Sequence, residues 1–296
     1  MSAEKTFLLG IGAQKSGTTW LHSYLDTFDE ASLGILKEYH IWDALEVPEM
    51  AHFDQRGGQS SLPTRAQRRL RELLGLRTPS LQAQMQRDAR AYFDYFAGLL
   101  EVDGASITAD ITPSYSVLSA GTLRKIRDGF AARGISVRSV FLMRDPVERC
   151  WSAVQMYKGM EGRDALARNE GVDVSLDDID AFEAYIRTPQ AWQRTDYRNP
   201  LTAMSEVFPE EATFIGTYER LFTQSEVERF SRFVGLPTKS EFMSHRVNSS
   251  SKKQAMDPSL REAAKRHFAP IYEFVGQNYP WIADAWSDYD QNLSAG

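Results

Sequence analysis

The chain has 296 residues, of which 42% are hydrophobic and 25% are charged, as in an ordinary globular protein that buries a sizeable core. A formal net charge of −6 argues against general nucleic-acid binding, because such binding needs a basic surface to neutralise phosphates. The single cysteine, Cys150, excludes an internal disulfide and a cysteine-based metal site. We interpret it as a small buried apolar side chain.

The sequence favours a protein that does not associate with a membrane. The apolar run Phe7–Ala13 is too short to span a bilayer, and it lacks the basic region and cleavage site of a signal peptide. No other stretch approaches about 18 consecutive apolar residues. We therefore expect a cytoplasmic, reducing setting and no membrane anchor ahead of the domain.

The first expected element is a strand at Thr6–Gly12, an apolar run that ends at glycine. A run of this kind is typical of a fully buried strand in a parallel sheet. A tight loop is expected over Ala13–Gly17 and a helix over Thr18–Thr27, where Trp20 and Tyr24 recur at helical spacing.

The rest of the chain alternates strands with helices. Further strands are expected at Ser106–Ile111, Ser136–Met143 and Thr213–Thr217. Further helices are expected at Thr64–Leu76, Ser80–Leu100, Leu118–Arg133, Pro146–Tyr157, Leu176–Ile186, Ala191–Phe208, Gln224–Val234 and from Pro258 to about Gly276. Residues 46–63 predict a surface loop, and the polar stretches 159–175 and 244–256 predict mobile loops.

This alternation predicts an α/β fold: a single domain over residues 1–296 with an open parallel sheet flanked by helices. Residues 60–100 would form a helical insertion in it. Open parallel sheets bind ligands at the carboxyl ends of their strands. We therefore expect the functional motifs to meet at that edge.

The segment Gly12–Thr19 has the composition of an anion cradle. Its glycines allow a sharp turn, and the start of the next helix adds unpaired N–H donors and a positive dipole end. The residues assigned to phosphate binding here are Lys15, Ser16, Gly17, Thr18 and Thr19. The alternative without a binding role is a glycine-containing turn with an exposed lysine.

This cradle differs from the nucleoside-triphosphate loop G-x-x-x-x-G-K-[ST]. Gly12 and Gly17 have the right spacing and Thr19 matches the last position, but Thr18 stands where the lysine belongs. The lysine lies inside the loop, as Lys15. A kinase needs its lysine on the β- and γ-phosphates together with a metal. The loop therefore fits a shorter 5′-phosphate chain better.

Two segments resemble the sulfotransferases that use 3′-phosphoadenosine 5′-phosphosulfate (PAPS). Gln14–Leu21 resembles their 5′-phosphosulfate loop, and Val140–Ser152 resembles their 3′-phosphate-binding strand and helix. The resemblance implies that Arg144 and Ser152 hold the 3′-phosphate, and a guanidinium suits a forked contact to phosphate. The alternative for Arg144 is a structural ion pair with Asp145, which would also cap the helix.

Three more segments are similar to the heparan sulfate glucosaminyl branch of that family. These segments are Lys37–Asp43, Asp110–Tyr115 and the loop Asn248–Gln254. Ile111 stands where the second segment of the branch has a lysine, so any acceptor contact of that lysine is lost. The third segment implies nucleotide contacts from Asn248, Lys252 and Lys253. The alternative for Lys252 and Lys253 is that they are ordinary surface lysines.

The resemblance implies a P-loop NTPase-like sulfotransferase fold and a PAPS-dependent transfer of a sulfuryl group to a hydroxyl or amine. Glu38 is the candidate general base, with His40 as the alternative base or as an orienting group. Lys15 would contact the bridging oxygen of the donor. No metal is expected. Trp20 and Tyr218 are candidates for adenine or phosphate packing, and Trp20 also suits the core.

The acceptor predicted in this way is a small molecule or a carbohydrate, with no nucleic acid and no membrane as partner. The basic stretch 65–77 suits either an exposed helix face or a rim that attracts an anionic acceptor. Two rival functions are a P-loop kinase or phosphotransferase and a PAPS-binding protein without catalysis. The sequence leaves the oligomeric state open.

Overall fold

A computed structural model describes residues 4–55, 80–159, 167–168, 170–244 and 256–294. Within these residues four strands form one sheet in the order β2-β1-β3-β4, and every pairing is parallel. The strands are β1 (Thr6–Gly12), β2 (Ile107–Ile111), β3 (Ser136–Met143) and β4 (Thr213–Thr217). The predicted α/β fold and its four strands are confirmed, with bounds that agree to within one residue.

Helices connect and cover the strands. They are α1 (Thr18–Leu25), α2 (Trp42–Glu46), α3 (Leu81–Arg87), α4 (Ala89–Leu99), α5 (Ala120–Ala131), α6 (Pro146–Lys158), α7 (Asp178–Ile186), α8 (Pro189–Thr195), α9 (Arg198–Ser205), α10 (Gln224–Val234), α11 (Pro258–His267), α12 (Ala269–Asn278) and α13 (Pro280–Ser294). Short 3₁₀ turns occupy Pro48–Phe53, Pro113–Val117, Glu210–Ala212 and Ser240–Ser244. None of the described helices is long and apolar enough to cross a membrane.

Strand β1 is buried on both faces, which explains why its sequence lacks polar alternation. All seven residues of β1 are buried, and successive side chains enter opposite cores because strand side chains alternate. Phe7 stacks on Phe130 of α5 at 3.9 Å between ring centroids and meets Phe96 of α4 edge-on. Leu8 points the other way, into the core that contains Leu21 of α1. Apolar burial on both faces thus holds the strand ends in place.

Three predicted helices are interrupted in the structure, so their continuity was predicted wrongly. The helix over 80–100 breaks at Asp88, whose carboxylate accepts from the Arg90 main-chain N–H at 3.0 Å and starts α4. The helix over 191–208 breaks at Asp196, which accepts from the Arg198 main-chain N–H at the start of α9. The last breaks at Phe268, just before a proline in the first turn of α12. Local capping outweighs helix propensity at Asp88 and Asp196, whereas no side chain caps the helix that starts after Phe268.

Two helices were not predicted, α2 and α13. Helix α2 has five residues, too few to show a helical period. Helix α13 begins at Pro280, two residues after α12 ends, in the N1 position that proline favours. Outside the described residues lie the predicted helix over 64–76, residues 160–166 and 169 of the predicted loop 159–175, and residues 245–255 of the predicted loop 244–256.

Candidate active site

A cavity of about 650 Å³ opens where β1, β3 and β4 end. The residue after β3 and the residue after β4, Arg144 and Tyr218, line it together with the loop after β1. Ten of the predicted site residues lie in its wall: Lys15, Gly17, Thr18, Thr19, Trp20, Glu38, His40, Arg144, Ser152 and Tyr218. This is the edge of the sheet at which parallel folds bind ligands.

The loop after β1 is shaped by backbone conformations that few residues adopt. Gly17 has φ +96°, and a Cβ added there would lie 2.4 Å from Leu221 Cδ2. Lys15 also has a positive φ, of 69°. Helix α1 follows directly, and no side chain caps it. Its first N–H groups are therefore available to an anion, as the anion-cradle interpretation requires.

Lys15 is a cation without a counter-ion in the described part of the chain. Burial lowers the pKa of Lys15, and the charges of Arg144 and Lys37 act in the same direction, so that together they bring it to about 8. Its Nζ forms no hydrogen bond or ion pair with any described residue. A half-buried ammonium held among other cations is a site for an anion.

Arg144 lies 4% exposed and is fixed on three sides. Its Nη1 donates to the Lys15 main-chain carbonyl at 3.0 Å, and its Nη2 donates to Glu148 Oε2 at 3.3 Å. The guanidinium lies over the Tyr218 ring, 4.3 Å from its centroid. Its Nε has no hydrogen-bond partner among the described residues.

The ion pair of Arg144 differs from the alternative weighed from the sequence. Glu148, one helical turn on, is its carboxylate partner. Asp145 does cap α6, by accepting from the Glu148 main-chain N–H at 3.0 Å, and it also accepts from the Tyr272 hydroxyl at 2.6 Å. The side chain of Arg144 is thus held by contacts within the fold and also forms part of the cavity wall.

Helix α6 carries Ser152 to the same cavity. Arg149, on the same helix, is fully buried, and its described hydrogen-bond partners are neutral groups of Thr195, Cys150, Tyr185 and Ala191. A buried guanidinium without a carboxylate adds positive potential beneath the site. Cys150 is fully buried, which confirms its predicted place in the core.

On another part of the wall, Glu38 belongs to a chain of charged groups. Lys37 Nζ lies 2.6 Å from Glu38 Oε1, and His40 Nε2 lies 3.4 Å from Glu38 Oε2. His40 Nδ1 lies 2.7 Å from Oδ2 of Asp43, which is fully buried. Ser114 also donates to Asp43 Oδ2. His40 therefore lies between two carboxylates.

This arrangement fixes the charges of both candidate bases. Burial alone would raise the pKa of Glu38, but the hydrogen bond from His40 and the charge of Lys37 outweigh it and lower the pKa to about 2. Burial would lower the pKa of His40, but its bonds to Asp43 and Glu38 raise it to about 9. At neutral pH, Glu38 is a carboxylate and His40 is an imidazolium.

Beyond His40 the wall combines apolar and paired polar groups. Phe53 stacks on the His40 ring at 3.6 Å. Arg194 and Glu170 form a buried ion pair at 2.7 Å, each 5% exposed at the side chain. Gln14 donates to the Tyr157 hydroxyl at 3.3 Å and so connects the loop after β1 with α6.

No family model matches the sequence, and no curated protein matches it. A sulfotransferase from Alicyclobacillus acidocaldarius matches in structure with a TM-score of 0.53 and 19% sequence identity, over 94% of this chain and 96% of that one. The chain has the sulfotransferase fold. Two further sulfotransferase structures are similar at lower TM-scores. They are STF9 from Mycobacterium avium (0.47, 15% identity, 94% of this chain and 78% of that one) and mouse SULT7A1 complexed with PAP (0.46, 10% identity, 98% and 89%).

Within this sulfotransferase fold, some predicted residues do not line the cavity. Ser16 is fully buried, and its hydroxyl has no hydrogen-bond partner among the described residues. Trp20 lines the cavity but stacks on Tyr24 at 5.1 Å within the core, as its alternative interpretation allowed. Asn248, Lys252 and Lys253 lie outside the described residues. The resemblance to the heparan sulfate branch stays a prediction.

Sequence reasoning missed several residues that the sulfotransferase fold brings to the site. Asp43 and Ser114 belong to the segments Lys37–Asp43 and Asp110–Tyr115, and the spacing of His40 and Asp43 was a usable signal. Arg194 and Glu170 had no local signal, because only tertiary packing joins them to the cavity. Over the described ranges, no group of three or more His, Cys, Asp or Glu side chains could hold a metal ion.

Proposed function

We propose that the chain transfers a sulfuryl group from PAPS to a hydroxyl or amine of a small-molecule or carbohydrate acceptor. One observation carries the proposal: Lys15 and Arg144, 129 positions apart, are joined by a hydrogen bond in the wall of one cavity. A nucleotide with separate 5′- and 3′-phosphates needs cations for both, and this pair supplies them side by side. The sulfotransferase fold supports the same donor.

The donor is assigned to the cationic part of the cavity. Its 5′-phosphosulfate would accept hydrogen bonds from the first turn of α1, from Thr18 and Thr19, and from the ammonium of Lys15. Its 3′-phosphate would accept from Arg144 and Ser152. Tyr218 and Trp20 remain candidates for the adenine, and Asn248, Lys252 and Lys253 remain candidates for further phosphate contacts.

In the proposed reaction the acceptor oxygen or nitrogen attacks sulfur in line with the bridging oxygen of the donor. The new bond to sulfur forms as the bond from sulfur to the bridging oxygen breaks, and the electron pair leaves with 3′-phosphoadenosine 5′-phosphate (PAP). Glu38 takes the acceptor proton, a role typically worth about 10²–10⁴ in rate. Lys15 neutralises charge on the leaving phosphate.

The electrostatics favour Glu38 over His40 as the base. The pKa of His40 is raised to about 9, so both of its nitrogens carry protons at neutral pH and neither accepts one. Its ion pair with Glu38, together with its hydrogen bond to Asp43, orients the Glu38 carboxylate instead. We propose that His40 is a positioning residue, and that Asp43 holds its ring.

The acceptor is assigned to the region around Glu38 and His40. Phe53 and Met156 offer apolar surface there, and the Arg194–Glu170 pair offers polar groups whose charges compensate each other. Such a wall suits a small molecule or carbohydrate that combines a hydrophobic face with hydroxyl groups. We propose that the transfer uses no metal, because the transferring group carries one negative charge, fewer than a phosphoryl group.

The donor half of the proposal is tested by thermal unfolding with nucleotides. PAP without magnesium is expected to raise the melting temperature in a concentration-dependent way, because a ligand that binds only the folded state stabilises it. ATP with magnesium is expected to leave it unchanged. The reverse pattern would support a P-loop kinase and overturn the proposal.

The catalytic half is tested by a screen of alcohols, phenols, amines and saccharides with labelled PAPS. Label is expected to move to at least one acceptor class with the wild-type chain and not with Glu38→Gln, whose PAP-induced stabilisation should match the wild type. PAP binding without transfer to any acceptor would favour a binding protein without catalysis.

A further inference from the structure

The segment that carries Glu38 and His40 has no strand or helix to hold it. Its main-chain groups are held by side chains from elsewhere in the fold. The N–H of Tyr39 donates to Thr112 Oγ1 at 3.0 Å, and the N–H of Ile41 donates to the Tyr115 hydroxyl at 3.2 Å. These two residues are the direct chain neighbours of Glu38 and His40. The two hydroxyls therefore position the main chain from which the Glu38 and His40 side chains extend.

Both hydroxyls converge on one buried carboxylate. Asp110, near the end of β2, is fully buried; it accepts from Thr112 Oγ1 at 2.6 Å and from the Tyr115 hydroxyl at 2.8 Å. A main-chain N–H can only donate, so each hydroxyl accepts a hydrogen bond from the segment and donates one to Asp110. An ionised carboxylate only accepts, which fixes the direction of every bond in the network.

The carbonyls of the same segment are held by side chains of helix α3. Gln82 Nε2 donates to the Tyr39 carbonyl at 3.1 Å, and Gln86 Nε2 donates to the His40 carbonyl at 2.8 Å. His40 itself has a positive φ of 52°, a conformation that side chains rarely adopt without external support. The segment is thus clamped through four main-chain groups.

We propose that Asp110, acting through Thr112 and Tyr115, is a positioning residue that sets the geometry of Glu38 and His40. The catalytic role of those two residues rests on the proposed function. The segment Asp110–Tyr115 thus supports the main chain that carries the proposed base. Its other polar member, Ser114, donates to Asp43, the carboxylate that holds the His40 ring.

The test compares three single hydroxyl deletions. Thr112→Val and Tyr115→Phe each remove a hydroxyl that holds the main chain of residues 38–41, the segment that carries Glu38 and His40. Tyr92→Phe is the matched control, because the Tyr92 hydroxyl donates at 2.9 Å to Asp110 Oδ2, the oxygen that Tyr115 also binds, and has no hydrogen bond to the main chain of residues 38–41. All three variants lose one buried hydrogen bond to Asp110, so all are expected to unfold at a lower temperature.

Kinetics separate positioning from stability. Misplacing a base by about 1 Å costs on the order of 10²-fold in rate, so Thr112→Val and Tyr115→Phe should lose about 10- to 100-fold in kcat. The KM for PAPS should change less than about twofold, because no donor contact is removed. Tyr92→Phe should keep kcat. Equal losses of kcat in Tyr115→Phe and Tyr92→Phe would overturn the proposal.

A second readout does not depend on turnover. The His40 ring titration is followed by NMR in the resting protein and assigned with His40→Asn. Loosening the segment should move the His40 midpoint toward its ordinary value in Thr112→Val and Tyr115→Phe, by at least about 0.5 unit, and not in Tyr92→Phe. An unchanged midpoint in the first two variants would refute positioning. A shifted midpoint in a chain without sulfuryl transfer would refute only the proposed function.

Discussion

The guanidinium of Arg144 and the main-chain carbonyl of Lys15 are joined by a 3.0 Å hydrogen bond across two strand ends. Strands β1 and β3 are neighbours in the sheet, so the residues that follow them meet. Because this contact engages only the carbonyl of Lys15, its ammonium stays available to a ligand. The two cations thus lie in the wall of one cavity.

The first prediction concerns Arg144. Arg144→Lys keeps the positive charge but loses the planar guanidinium that can bind a phosphate through two nitrogens. It should raise the Kd for PAP by about 10- to 100-fold, as expected when a charge-assisted hydrogen bond is lost. Isothermal titration calorimetry measures this. Arg266→Lys is a control on the exposed surface of α11, and its Kd should equal the wild-type value. Normal PAP binding by Arg144→Lys would contradict the assignment.

The second prediction concerns pH and Lys15. Its pKa is lowered to about 8 in the free protein, and a bound anion would raise that pKa again. Binding of PAP should therefore take up a proton near pH 8.5, and affinity should fall as pH rises above 8. Calorimetry in buffers of different ionisation enthalpy measures the uptake. The uptake should vanish in Lys15→Met; if it persists there, another group is responsible.

The third prediction concerns the acid and alkaline limits of turnover. The pKa of Glu38 is lowered to about 2, so this proposed base stays ionised and should produce no acid limb in kcat above pH 4. The pKa of His40 is raised to about 9, so its charge is present below that value and is lost as pH rises through it. We expect kcat to fall above about pH 9, measured with saturating PAPS. A decline of kcat below pH 6 that disappears in His40→Gln would instead identify His40 as the base.

The fourth prediction concerns the buried pair Arg194–Glu170 in the cavity wall. Removing one partner of a buried ion pair typically costs about 3–5 kcal/mol, because the other charge stays buried and unpaired. Arg194→Met should therefore lower the free energy of unfolding by about that amount in urea denaturation. Arg194→Met combined with Glu170→Gln should recover part of the loss. A double variant no more stable than the single one would show that the pair is not coupled.

Strands and the phosphate loop were predictable because their signals are local. The continuous apolar run of β1 and the spacing of Gly12 and Gly17 depend on a few neighbouring residues. Helix continuity was harder, because capping competes with propensity at Asp88 and Asp196. In the candidate site, Glu38 and His40 were found from their segment. Arg194 was not, because it reaches the cavity only through packing of α8.

The sequence by itself determined the four parallel strands, the glycine turn around Lys15 and the identity of the charged groups. Side-chain alternation and backbone sterics act over a few residues, so these features are readable along the chain. Tertiary structure alone decided which charges meet. It paired Arg144 with the loop of Lys15 and enclosed His40 between Glu38 and Asp43. It also connected Asp110, through Thr112, to the main chain next to Glu38 and His40. Burial and neighbouring charges, which set the protonation of these groups, exist only once distant segments pack together.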